Sequence, residues 1–111
     1  MKLLEYDIRP GSKIMHITVA NGWSNTTNHI PGKTFDAVFA FDVLDESEEP
    51  ELLIAEMARM TKPGGLFRVT CSLFGVHSPR ELLTLFQNHA IDTTAARVDV
   101  IEKFMVATGW R

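Results

Sequence analysis

Cysteine is nearly absent from this chain. Cys71 is the only one among 111 residues, so no internal disulfide forms and a cysteine-rich metal site has no ligands. Long apolar runs are absent too. No stretch approaches the roughly 18 residues that cross a membrane, and residues 1–10 lack an apolar core of signal-peptide length, so a cytoplasmic setting without membrane contact is the expectation. Excess positive charge is also missing: 11 Lys and Arg stand against 14 Asp and Glu, for a net charge of −3 and a pI near 5.7. That balance carries no electrostatic footprint for a nucleic-acid backbone, and no nucleic-acid partner is expected. His16, His29, His77 and His89 are scattered without the paired spacing of metal ligands, and no metal is expected. Repeats, low-complexity segments and dividing linkers do not occur. What is present is 45% hydrophobic residues at a mean hydropathy of 0.00, the composition of one soluble globular domain spanning residues 1–111.

The strongest signals lie in residues 35–73. DAVFAF, residues 36–41, is the short, almost wholly apolar run of a parallel strand covered on both faces. An acidic loop, DESEE, follows it. Pro50 then suits a first helical turn, with Glu48, Glu49 and Glu51 favourable at the positive helix end, so a helix is expected from about residue 49. Leu53, Met57 and Met60, flanked by Leu52, Ile54 and Ala58, form its buried stripe. Lys62-Pro63-Gly64-Gly65 combines a cation, a helix breaker and two glycines, and ends the helix. Residues 66–73 resume an extended pattern, and a strand–helix–strand unit of this length closes as a parallel crossover.

These residues also carry a resemblance. FDAVFAFDVLDE, then a helix, then AEMARMTKPGGLFRVTCS resembles the middle of the class I S-adenosylmethionine-dependent methyltransferases. In that family the fourth strand begins with Phe-Asp, and an E-x-x-R-x-x-K-P-G-G stretch leads into the fifth. The matching residues are Glu56, Arg59, Lys62, Pro63, Gly64 and Gly65. The resemblance implies an α/β fold: a small Rossmann-like, methyltransferase-type sheet, mostly parallel, with flanking helices and a C-terminal antiparallel hairpin. The chain is shorter than a full domain of that kind, so strands or helices are missing or are supplied by a partner.

The first 22 residues admit two registers against the family. In one, Arg9-Pro10-Gly11 is a turn and residues 13–19 form the family's first strand. His16 then stands where an acid is usual, and Thr18, Ala20 and Gly22 occupy the three positions of the glycine loop. In the other, residues 3–8 are the second strand, and Asp7 resembles the acid that holds the cofactor ribose. The family's strand order, 3-2-1-4-5-7-6, favours the first register, because losing two edge strands leaves a continuous sheet. Residues 20–34 then form a long loop without helical periodicity, and Trp23 within it is an aromatic anchor against a ligand or, the favoured reading, against the core.

Beyond the central unit, Ser78-Pro79-Arg80-Glu81 is a capping box with proline at the first helical position. The helix runs on through LLTLFQNHA, with Leu82, Leu83, Phe86 and Ala90 on one face. Residues 98–102 and 104–110 resemble the antiparallel pair that closes the family's sheet. An amphipathic helix over residues 98–107 is the alternative.

Ligands of open parallel sheets bind at the carboxyl ends of the strands, where helix N-termini converge. The candidates are residues 18–22, 41–46 and 71–74. The resemblance implies S-adenosylmethionine as the cofactor, with Thr18, Ala20, Asn21, Gly22, Phe41, Val43 and Leu44 on its side of the site. Asp42 is the catalytic candidate, holding an acceptor group or serving as a general base. Its plain alternative is a solvated loop acid. Cys71 reads as a buried, inert thiol. The expected function is that of an S-adenosylmethionine-dependent methyltransferase-like protein with an unidentified acceptor. The alternative is a non-catalytic protein of the same fold that binds or regulates a partner, or that self-associates into a homo-oligomer to complete one sheet and one site.

Overall fold

A computed structural model describes residues 10–73, 75, 77–89 and 97–111. The elements are β1 (Ile14–His16), α1 (Ser24–Thr27), β2 (Phe35–Phe41), a 3₁₀ turn (Leu44–Glu46), α2 (Pro50–Met60), β3 (Thr61–Ser72), α3 (Pro79–His89), β4 (Arg97–Ile101) and β5 (Phe104–Trp110). They build one five-stranded sheet in the order β1-β2-β3-β5-β4. β1, β2 and β3 pair in parallel, and β5 joins antiparallel to both β3 and β4. This is the expected α/β sheet with its C-terminal hairpin, and the helix considered for residues 98–107 does not form.

β1 lies beside β2 with Ile14 opposite Ala37 and His16 opposite Phe39, as the first of the two registers requires. Residues 3–8, on which the second register rested, lie outside the described residues, as do Ala90 and residues 92–96.

Side chains alternate across the strands, and the two faces differ. Val38 and Ala40 of β2, Phe67, Val69 and Cys71 of β3, and Met105 and Ala107 of β5 join the larger core cluster with Leu53, Ile54 and Met57 of α2 and Leu82 and Phe86 of α3. Phe67 stacks on Phe86 at 5.3 Å between ring centroids. The opposite face carries a smaller cluster of Ala37, Phe39 and Leu66, with Ile14, Phe41 and Trp110 partly buried against it. Arg68, Thr70 and Thr108 are buried on that face too, and Arg68 Nε donates to Thr108 Oγ1 at 2.9 Å. Among the described residues no helix is long and apolar enough to cross a membrane.

Three local expectations need correction. Residues 20–34 are not wholly loop, because Ser24–Thr27 closes one helical turn. Its weak helix formers are held by tertiary bonds: the Thr27 hydroxyl donates to Glu56 Oε2 at 2.8 Å, and Arg59 donates to the carbonyls of Thr27 (3.2 Å) and Ile30 (2.8 Å). Residues 61–65 are the start of β3 rather than a separate turn. Met60 ends α2, the Thr61 hydroxyl donates to the Met57 carbonyl at 2.7 Å, and the ladder slips between the Phe35–Thr61 and Ala37–Leu66 pairs. Gly64 takes a positive φ of 82° at this irregularity. Leu52 is 54% exposed, because the buried arc of α2 widens toward Ile54 and Ala58 and leaves Leu52 on the other flank. At α3 the serine half of the expected capping box is present, Ser78 Oγ accepting the Glu81 N–H at 3.2 Å, and the same hydroxyl donates to Glu81 Oε1 at 3.2 Å.

Candidate functional site

The sheet brings the carboxyl ends of β1, β2 and β3 to one edge of the molecule, so the loops that follow them form one candidate site. After β1 the chain keeps one more ladder bond, Ile17 N–H to the Phe39 carbonyl at 2.7 Å, and then leaves the sheet. Thr18 is exposed, Ala20 is half-buried against the core, and Gly22 turns with a φ of 75°. Trp23 is buried, 8% exposed, in agreement with its reading as a core anchor.

Asn21 is the polar link of the site. Its Nδ2 donates to the Glu46 carbonyl at 3.3 Å, and its Oδ1 accepts the Glu48 N–H at 2.8 Å. The loop after β1 is thereby tied to the loop after β2.

At the end of β2, Phe41 is half-buried, stacked on Phe39 at 5.2 Å and edge-on to His16 at 5.8 Å. Asp42 is exposed and adopts a left-handed backbone, with φ at 60°. Its N–H is shared between the Thr70 carbonyl (3.2 Å) and the Thr70 hydroxyl (2.9 Å), and that hydroxyl donates back to Asp42 Oδ1 at 3.1 Å. Val43 and Leu44 turn inward, 8% and 0% exposed, and leave only their backbone for a ligand. The structure thus leaves Thr18, Asn21, Gly22 and Asp42 exposed on the loops after β1 and β2 and takes the side chains of Val43 and Leu44 into the core.

Two contributors were not singled out in the sequence. Thr70 is fully buried in β3 and carries no local signal. Asp45, one acid within DESEE, accepts the Ser72 N–H on Oδ2 at 2.9 Å. Its Oδ1 is buried without a hydrogen-bond partner among the described residues. Both oxygens lie 2.9 Å from where a side chain on Gly75 would begin, so glycine gives the acid its room. Burial, with the charges of Asp45 and Asp42 adding to it, pushes the Cys71 thiol up to about 12. It remains protonated at neutral pH and is no nucleophile.

Two recesses flank the site. A groove of about 80 Å³ runs beside β1, bounded by residues 15–19, Trp23, Thr26 and Thr27. A wider cleft of about 490 Å³ lies between α2 and α3, lined by Glu51, His77, Arg80, Glu81 and Leu85 among others. Among the described residues no three His, Cys, Asp or Glu side chains gather as a metal site would need.

A family model described as "Methyltransferase domain" matches residues 10–69. No curated protein matches the chain. Among solved structures, it is similar to an S-adenosylmethionine-dependent methyltransferase from Thermotoga maritima: 12% identity, 93% of this chain and 83% of that chain, TM-score 0.67. It is also similar to an O-methyltransferase family protein from Burkholderia thailandensis, at 18% identity, 77% of this chain, 32% of that chain and TM-score 0.60. A third similarity is to a chain of the Haloferax volcanii complex between a methyltransferase activator and a methyltransferase, at 14% identity, 74% of this chain, 56% of that chain and TM-score 0.58. The chain therefore spans about half of the last structure and a third of the second. At these identities the likenesses show the fold.

Proposed function

The chain belongs to the methyltransferase domain family, and from that premise we propose that it is an S-adenosylmethionine-dependent methyltransferase-like protein whose site lies where the loops after β1 and β2 meet. The observation that carries this reading is the junction itself. Asn21 bonds the backbone of residues 46 and 48, and Asp42, at the head of the same loop after β2, is exposed with a left-handed backbone. Loops at the carboxyl ends of central parallel strands are where such sheets bind their ligands. We assign Thr18, Ala20, Asn21, Gly22 and Phe41, with the backbone of Val43 and Leu44, to the cofactor side. Asp42 is assigned to the place where methyl donor and acceptor meet, holding an acceptor group or serving as a general base. The whole chain is taken as one reduced domain.

When bound, S-adenosylmethionine supplies a methyl group activated on a sulfonium sulfur. The described residues suit the sulfonium-bearing end of this molecule: an open loop at 18–22, the turn at Gly22, and an exposed carboxylate at Asp42 of opposite charge. For its nucleoside end the loop keeps one glycine, Gly22, of the three that the family has. His16 stands where the family has an acid, and Asp7, the other candidate, lies outside the described residues.

A second reading has a specific observation in its favour. Residues 17–34 are all that join β1 to β2, and a parallel crossover alone takes about a dozen residues or more. No room is left there for two further strands with their helices. A non-catalytic protein of this fold, acting by binding a partner or a second copy of itself, is consistent with that loss.

Calorimetric titration with S-adenosylmethionine and S-adenosylhomocysteine tests the first reading. Saturable binding of both is expected, and Asp42→Ala should weaken S-adenosylmethionine more than S-adenosylhomocysteine, because only the former carries the positive sulfonium that the carboxylate would face. No heat at concentrations adequate for weak binding would overturn it in favour of the second.

A further inference from the structure

We propose that Thr70 is a positioning residue for Asp42, an inference that rests on the assignment of Asp42 to the ligand site. Thr70 is fully buried in β3, directly opposite Phe41 across the parallel ladder. Its hydroxyl is used twice on one neighbour, accepting the Asp42 N–H at 2.9 Å and donating to Asp42 Oδ1 at 3.1 Å. A hydroxyl has one proton to give, so this pair of bonds fixes the rotor and with it one oxygen of the carboxylate. The Thr70 carbonyl also accepts from the Asp42 N–H, at 3.2 Å.

These contacts act on a residue that is exposed and stands at a φ of 60°. Glycine takes that conformation without penalty, and side chains other than Asn and Asp rarely do. Asp is among the few side chains that take it, and the buried Thr70 fixes which way this carboxylate points. A carboxylate held in one direction at the end of a central parallel strand is suited to meeting a ligand. Thr70 therefore aims Asp42 without touching the ligand itself.

The test compares wild type, Thr70→Val and Thr70→Ser by calorimetry with S-adenosylmethionine as the probe, alongside urea unfolding of each. Valine keeps the buried volume and removes the hydroxyl, whereas serine keeps the hydroxyl. The expected result is that Thr70→Val stays folded but binds S-adenosylmethionine about tenfold more weakly, because the carboxylate is no longer held toward the sulfonium, and that Thr70→Ser restores binding to within about twofold of wild type. The Asp42 amide resonance should move in Thr70→Val and return in Thr70→Ser. Equal binding by wild type and Thr70→Val would overturn the positioning role and leave the site assignment standing, as would a Thr70→Ser as weak as Thr70→Val. No binding by wild type would overturn both. Should Thr70→Val fail to fold, Thr70→Ala in the same comparison with Thr70→Ser decides the matter on the same criteria.

Discussion

Glu56 and Arg59 stand one turn apart on α2 and do more than ornament the helix. Arg59 donates through Nε to Glu56 Oε1, and its other nitrogens reach the carbonyls of Ile30 and Thr27, while the Thr27 hydroxyl completes the circuit on Glu56 Oε2. The two motif residues thus clamp the segment between β1 and β2 onto α2. Thr27, one of the clamped residues, also lines the groove beside β1. The hydrogen bond from Arg59 holds the Glu56 carboxyl below its ordinary range, against the opposing effect of burial and with help from Thr27 and the charge of Arg59. A carboxyl whose folded value is depressed stabilises the fold fully above its unfolded value and loses that contribution as pH falls through the folded value. Urea midpoints measured from about pH 7 to about pH 3 should therefore decline in wild type at the acid end. Glu56→Gln, less stable at neutral pH, should decline less steeply there; parallel curves would show that the clamp does not depend on the charge of Glu56.

At the scale of elements, β5 packs so tightly on β3 and α3 that one methyl group should disturb it. A Cβ on Gly109 would lie 2.5 Å from the tip of the Phe67 ring, and Phe67 is itself fully buried and stacked on Phe86. Gly109→Ala is expected to lose about 1–3 kcal/mol by chemical denaturation, the usual cost of overpacking. A loss under a few tenths would mean that the ring has somewhere to go. The elements legible in the sequence are those that announce their own ends: α2 between Pro50 and Lys62-Pro63, and α3 behind its capping box at Ser78. The illegible ones depend on distant atoms. Ser24–Thr27 is held by Arg59, which donates to the Thr27 carbonyl, and Thr61 enters β3 opposite Phe35, while Gly65 lies so close to the Asp36 carbonyl that a side chain there would sit 2.5 Å away. No local period carries either fact.

For the molecule as a whole, the order β1-β2-β3-β5-β4 sets the site at the carboxyl ends of the first three strands. The loops that border it were legible because strand ends in a parallel sheet are binding places by geometry. Its internal wiring was not. Asn21 to Glu48 spans 27 positions and Asp42 to Thr70 spans 28, and such pairings exist only once the sheet has formed. Nor does composition reveal that Val43 and Leu44, beside Asp42 in sequence, turn into the core. The central claim is that this junction of loops receives the cofactor. Mapping amide chemical shifts across the chain during titration with S-adenosylhomocysteine tests it most directly. The account predicts saturable shifts concentrated at residues 18–22, 41–44 and 70–72. Shifts confined to the cleft between α2 and α3, around Glu51 and Arg80, or no saturable shift at all, would contradict it.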